Sequence, residues 1–245
     1  MGRETGILPP DVTGDNYNRK PHWQSCEILL DNKHILVPEA NGHHIRQVLF
    51  FDLLSEYDAR IFSAYIDASD LQLSESFQAR QKEWLIDEAN HFDGFKIVNL
   101  RLGRTAEEVE VATLGRFGVF DEVDHLLTDE FSTAILLAYD EMATVEGYKA
   151  DLEMYDSFGE EMSRFIRLVI ADEAQHYYKF LSLLKNLHSH RLGEVGEKLK
   201  LIREADAALR QKPYAATFVL DHEEAVFTDE LLDGVVTILK KQLSR

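Results

Sequence analysis

Two stretches of one design constrain this chain more than any other feature: Asp87-Glu88-Ala89-Asn90-His91 and Asp172-Glu173-Ala174-Gln175-His176. Each reads D-E-x-x-H within a segment of helical apolar spacing. Residues three apart share a helix face, so each glutamate and its histidine can reach one metal ion. A single Glu-x-x-His is more often a surface pair. Two copies, each with the same preceding aspartate and each set in an apolar stripe, point to a metal site built between helices.

The apolar period places those helices. Ile45, Val48, Phe51, Leu54, Ile61, Phe62 and Tyr65 recur at helical spacing between about Gly42 and Ala68. Ser74 opens a second helix that runs to about Leu102, and Gly103 suits the left-handed position beyond its end. Its stripe is Phe77, Trp84, Leu85, Glu88, His91, Phe92, Phe95 and Val98. Thr105-x-x-Glu108 has the pattern of a capping box and predicts a short connecting helix. A third long helix is expected from near Thr128 to about Tyr155. A fourth follows the turn at Asp156-Ser157 and continues to about His190, before Gly193. A polar helix over about 194–211, a break at Pro213 and a last helix over about 228–243 complete the chain. Before the first helix, Pro and Gly punctuate an irregular arm in which His34-Ile35-Leu36-Val37-Pro38 reads as strand-like. The expected division is an arm (1–41), a helical bundle (42–190) and a C-terminal helical extension (191–245).

The two helix pairs resemble a repeat. Setting Leu53-Leu54 against Leu136-Leu137 brings Asp58 opposite Glu141 and Tyr65 opposite Tyr148. Leu54, Phe62 and Tyr65 flank Asp58 at helical spacing, as Leu137, Val145 and Tyr148 flank Glu141. A carboxylate in such a stripe is costly unless it is paired, protonated or bound to metal. Glu56 competes with Asp58, because it precedes Glu88 by the same interval that separates Glu141 from Glu173. Its neighbours Asp52, Arg60 and Ser63 read as a solvated face, so Asp58 is the expected ligand. Glu146, the Glu107–Glu110 run and His43, His44, His188 and His190 also read as solvated. Phe92, Phe95, Tyr177 and Phe180 read as core packing, and Tyr65 and Tyr148 as core residues whose hydroxyls bond a carboxylate.

Asp58, Glu88, His91, Glu141, Glu173 and His176 together make a catalytic site for two divalent ions, whose charge offsets four carboxylates. At these residues the chain resembles the ferritin-like di-iron carboxylate superfamily, over about residues 45 to 188. The resemblance implies an all-α fold, an antiparallel four-helix bundle with an added N-terminal arm and C-terminal helices. It implies Asp58 and Glu141 as terminal ligands, Glu88 and Glu173 as bridging ligands, and one metal on each of His91 and His176. Asp87 and Asp172 would each hydrogen-bond the imidazole of the other motif. It further implies two iron ions (manganese or a mixed pair being open), O2, a small organic substrate and an external electron donor. Mixed carboxylate and imidazole ligands suit these metals, and the lack of thiolates argues against structural zinc. The lone Cys26 cannot build a rubrerythrin-type cysteine-ligated iron domain. Phe95 stands where the ribonucleotide reductase small subunit carries its radical tyrosine. The expected activity is therefore that of an O2-activating di-iron oxidase or oxygenase, with an iron-oxidising or iron-storing protein as the alternative.

Composition removes other classes. With 44 acidic against 26 basic residues and a net charge of −18, the chain is poorly suited to track nucleic-acid phosphates. No apolar run reaches membrane-spanning length, and the polar N-terminus lacks a signal-peptide core. One cysteine excludes an internal disulfide, which makes a reducing cytoplasm the expected compartment. Oligomeric state is left open, a homodimer included.

Overall fold

The computed structural model describes residues 23–30, 42–114, 116–212, 217–222 and 225–244. Among these residues the regular structure is helical, with no strand. The long helices begin and end where local chemistry dictates. Helix α2 spans Gly42–Ala68 and α3 spans Glu75–Arg101. Ser74 caps α3 by accepting from Phe77 N at 3.1 Å, an interaction worth about 1 kcal/mol. Gly103 follows α3 with φ +97°, in the region that a Cβ disfavours. Thr105 and Glu108 form the expected capping box, at 2.7 Å and 3.1 Å, and open α4 (Ala106–Leu114).

The third long segment departs from expectation. Asp129 caps α5 (Glu130–Ala150) close to the expected start, but Asp151 interrupts the helix before the short α6 (Leu152–Asp156). Helix α7 then runs over Glu160–Leu187, entered through Gly159 at φ +103°. Helices α8 (Val195–Leu209) and α9 (Asp229–Leu243) follow, the latter capped by Thr228. Among the described residues of the N-terminal segment, expected to be irregular, one helical turn forms, α1 (Ser25–Ile28). The strand-like reading of His34–Pro38 and the break at Pro213 lie outside the described residues. No helix among the described residues is long and apolar enough to cross a membrane.

The four long helices associate as two antiparallel pairs, α2 with α3 and α5 with α7. Cross-links set the register: Gln81 donates to Ser63 Oγ and Asn99 to Leu49 O, both at 2.7 Å. The pairs then meet through α3 and α7. Two apolar clusters fill the interior. One gathers Phe62, Phe77, Trp84, Phe131, Leu136 and Phe180 and extends through Leu199, Ile202, Leu232 and Leu239, so α8 and α9 share it. The other gathers Leu49, Leu53, Phe92, Phe95, Phe165 and Val169. On each long helix the two clusters lie on either side of one polar level, and that level holds the site.

Candidate metal centre

The polar level brings both D-E-x-x-H motifs together across α3 and α7. His91 Nδ1 faces Glu173 Oε1 at 3.1 Å and Glu56 Oε2 at 3.4 Å, while its Nε2 faces Asp172 Oδ2 at 3.3 Å. His176 repeats the arrangement. Its Nδ1 lies 3.1 Å from Glu173 Oε2, 3.3 Å from Glu141 Oε2 and 3.4 Å from Glu88 Oε1, and its Nε2 lies 3.1 Å from Asp87 Oδ2. Each imidazole thus turns one nitrogen inward to the glutamates and the other outward to the aspartate of the opposite motif. Such an outer carboxylate fixes ring orientation and raises basicity.

Two four-residue groups could hold metal ions: Glu56, Glu88, His91 and Glu173, and Glu88, Glu141, Glu173 and His176. Within each, the ligand atoms lie within 4.8 Å of one another, and all six side chains are buried. Glu88 and Glu173 belong to both groups. Asp58, the expected ligand on α2, belongs to neither group, while Glu56 belongs to the first. Asp58 is instead buried against Arg116, whose guanidinium engages both of its carboxylate oxygens. The error came from treating polar neighbours as a solvated face. Asp52 and Ser63 are buried too: Tyr155 donates to Asp52 at 3.0 Å, and Ser63 meets Gln81. The inward face of α2 is therefore polar at this level, and Arg116 lies too far away in sequence for any helical period to reveal it.

Electrostatics tests whether the pocket fits cations. Burial raises the Glu88 carboxyl well above its ordinary pKa, and the charges of Glu173 and Glu56 raise it further. Burial does the same to Glu141, outweighing the opposing charge of His176. For Glu173, burial is outweighed by the charges of and hydrogen bonds to His91 and His176, which hold it well below the usual carboxylate range. Burial pushes both imidazoles down. Glu56 and Glu173 around His91, and Glu141 and Asp87 around His176, reverse that and raise both well above the ordinary value. Glu56 Oε2 and Glu88 Oε1 are buried without a hydrogen-bond partner among the described residues. Inward-facing lone pairs, crowded carboxylates and orphaned buried atoms are what a bound dication would satisfy. The residues fit the metals.

Around this set are residues that the sequence did not single out. Trp23 stacks on His91, ring centroids 5.9 Å apart, and donates Nε1–H to Asp172 at 2.7 Å. Tyr148 donates to Glu56 Oε1 at 2.9 Å, which matches its expected role as a core residue bonded to a carboxylate. Tyr65 engages Asp124, far from the centre in sequence. His43, His44 and His190 are exposed as expected, but His188 is half-buried and pairs with Glu130 at 2.9 Å.

A cavity of about 60 Å³ reaches the centre from the α2–α5 side, with Glu56, Glu88, Glu141 and Glu173 at its inner end. The segment between α8 and α9 supplies its far wall through Phe218, Asp221, His222, Val226 and Phe227. Phe218 and Leu220 adopt left-handed conformations there, φ 64° and 61°, costing about 1–2 kcal/mol each. Hydrogen bonds hold them: Phe218 N donates to Asp221 at 3.0 Å and Leu220 N to Asp140 at 2.6 Å. Comparison of the chain with protein-family models, with curated proteins and with solved structures gave no match.

Proposed function

We propose that this chain is a ferritin-like four-helix-bundle protein with a dinuclear iron centre, and that it activates O2 to oxidise a small organic substrate. The observation that carries the proposal is the paired arrangement of two buried Glu/His groups sharing Glu88 and Glu173, with crossed Asp–His contacts. One ion would be held by Glu56, Glu88, Glu173 and His91, the other by Glu88, Glu141, Glu173 and His176. Glu88 and Glu173 would bridge. Manganese or a mixed pair suits the same ligands. The metals supply the one-electron redox chemistry and the affinity for dioxygen that these side chains lack.

The protein's own contributions are positional. Asp87 and Asp172 take the outward Nε2–H of each imidazole and aim Nδ1 inward. Phe95, Phe165 and Val169 on one side, and Trp84 and Tyr177 on the other, keep bulk water from the polar level. The C-terminal segment walls the cavity, as an added substrate site on a bundle does. An external donor would return electrons between turnovers.

A second reading, an iron-oxidising protein whose substrate is the metal ion, is favoured by the cavity's small size and its carboxylates. Asp52, Asp140, Asp151 and Asp221 line it as well as the four glutamates, and among the described residues no Lys or Arg does. Adding excess Fe(II) to anaerobic protein and admitting air separates the two. Oxygen uptake that stops near the stoichiometry of the centre until reductant and an organic substrate are supplied supports the enzyme. Iron loading far beyond two per chain in a large soluble assembly supports the other.

A further inference from the structure

The candidate centre leaves one buried imbalance unused. His222 is 3 % exposed, lies in the wall of the cavity and belongs to no metal-ligand group. Its Nδ1 lies 3.2 Å from Asp206 Oδ2 of α8, and its Nε2 lies 3.6 Å from Asp140 Oδ1 of α5. The Asp140 contact is longer than a hydrogen bond, so Nε2 is held near the cavity without being committed to that carboxylate. Asp206 is fully buried and also accepts from Tyr139, with Arg203 and Arg210 behind it. A buried carboxylate on Nδ1 orients an imidazole and stabilises its protonated form, leaving the opposite nitrogen to exchange a proton.

We propose that His222, oriented by Asp206, delivers protons into the cavity during dioxygen reduction at the centre. The proposal rests on the O2-activating reading above. Each electron that dioxygen accepts on its way to water must be matched by a proton, and the glutamates at the centre would be occupied by metal, so a donor in the cavity wall is needed. Electrons come from the reduced metals and an external reductant. The proton would leave Nε2 toward the cavity, the neutral imidazole would remain on Asp206, and a proton relayed from bulk solvent through water in the cavity would restore the charge. Asp140 and Tyr139 on α5, Asp206 on α8 and Asp221 on the same segment face the ring. Burial pushes the imidazole down, but these aspartates outweigh it and raise its pKa above the ordinary value.

The test uses the full chain loaded with Fe(II). His222→Gln should keep its metal content and melting temperature near wild type while O2 consumption slows about a hundredfold, in keeping with loss of a general acid. Its pH profile should lose the limb at which wild-type activity falls as pH rises. In the metal-free protein, the His222 resonance, assigned by its absence in the Gln variant, should titrate above an ordinary histidine. Asp206→Asn should lower that titration and move the activity limb by the same amount. An unchanged rate and profile in His222→Gln would overturn the proposal. So would a slowed rate whose pH profile keeps the wild-type limb, since that marks a merely structural anchor. If the wild-type protein binds two metals and consumes no O2, the O2-activating reading fails first and this inference with it.

Discussion

Trp23 Nε1 donates to Asp172 Oδ2 at 2.7 Å, and the same oxygen lies 3.3 Å from His91 Nε2. One carboxylate oxygen thus joins the N-terminal segment to a candidate metal ligand. Asp87 holds His176 in the corresponding way, its Oδ2 3.1 Å from Nε2.

The contact predicts an effect centred on one half of the site. Trp23→Phe keeps the stacking on His91 and removes only the hydrogen bond. It should weaken the ion at His91 by about 10–100-fold, the usual scale for an outer partner of a ligand, and leave the other nearly unchanged. Competition titration resolving the two ions checks this; equal weakening of both would contradict it.

Glu56 and Asp58 lie two residues apart on α2 and should separate cleanly. Glu56→Ala removes one ligand of the His91 group and should lower occupancy there. Asp58→Asn should leave metal content intact and lower stability by about 1–3 kcal/mol, because it weakens the ion pair with the half-buried Arg116. Metal analysis and chemical denaturation of the two variants decide the assignment.

The pH dependence has a definite sign. In the metal-free protein Glu88, Glu141, His91 and His176 all have pKa values raised above their ordinary ones. Each stabilises the fold fully below its unfolded value, and the contribution is lost as pH rises through the folded value. The window opens in the ordinary carboxylate range for the glutamates and in the ordinary imidazole range for the histidines. Melting temperature of the metal-free protein should therefore fall from neutral to alkaline pH. Metal binding expels the same protons, so affinity should rise over that range. A metal-free protein that becomes more stable as pH rises would contradict the electrostatics.

Much of this was legible in the sequence because it is local. Ser74, Gly103 and the Thr105–Glu108 pair act within one helical turn, and each sits where its chemistry placed it. The D-E-x-x-H pairs, which the structure brings together, were legible for the same reason: two side chains on one turn need no knowledge of the fold. Glu56 was not, because apolar spacing marks the inward face only where that face is apolar. Around Glu56 the inward face carries Asp52 and Ser63, whose partners Tyr155 and Gln81 come from other helices. Trp23 and His222 were missed for the same reason, since their contacts span 149 residues to Asp172 in one case and run to Asp140 and Asp206 in the other.

The central claim is one dinuclear centre bridged by two glutamates, and counting metals in four proteins tests it most directly. Anaerobically loaded wild-type protein should retain about two ions per chain after desalting. Glu88→Ala and Glu173→Ala should each retain neither, while Glu56→Ala should keep one, provided all three variants remain helical and monodisperse. Two ions retained in Glu88→Ala or Glu173→Ala, or none in the wild type, would contradict the account.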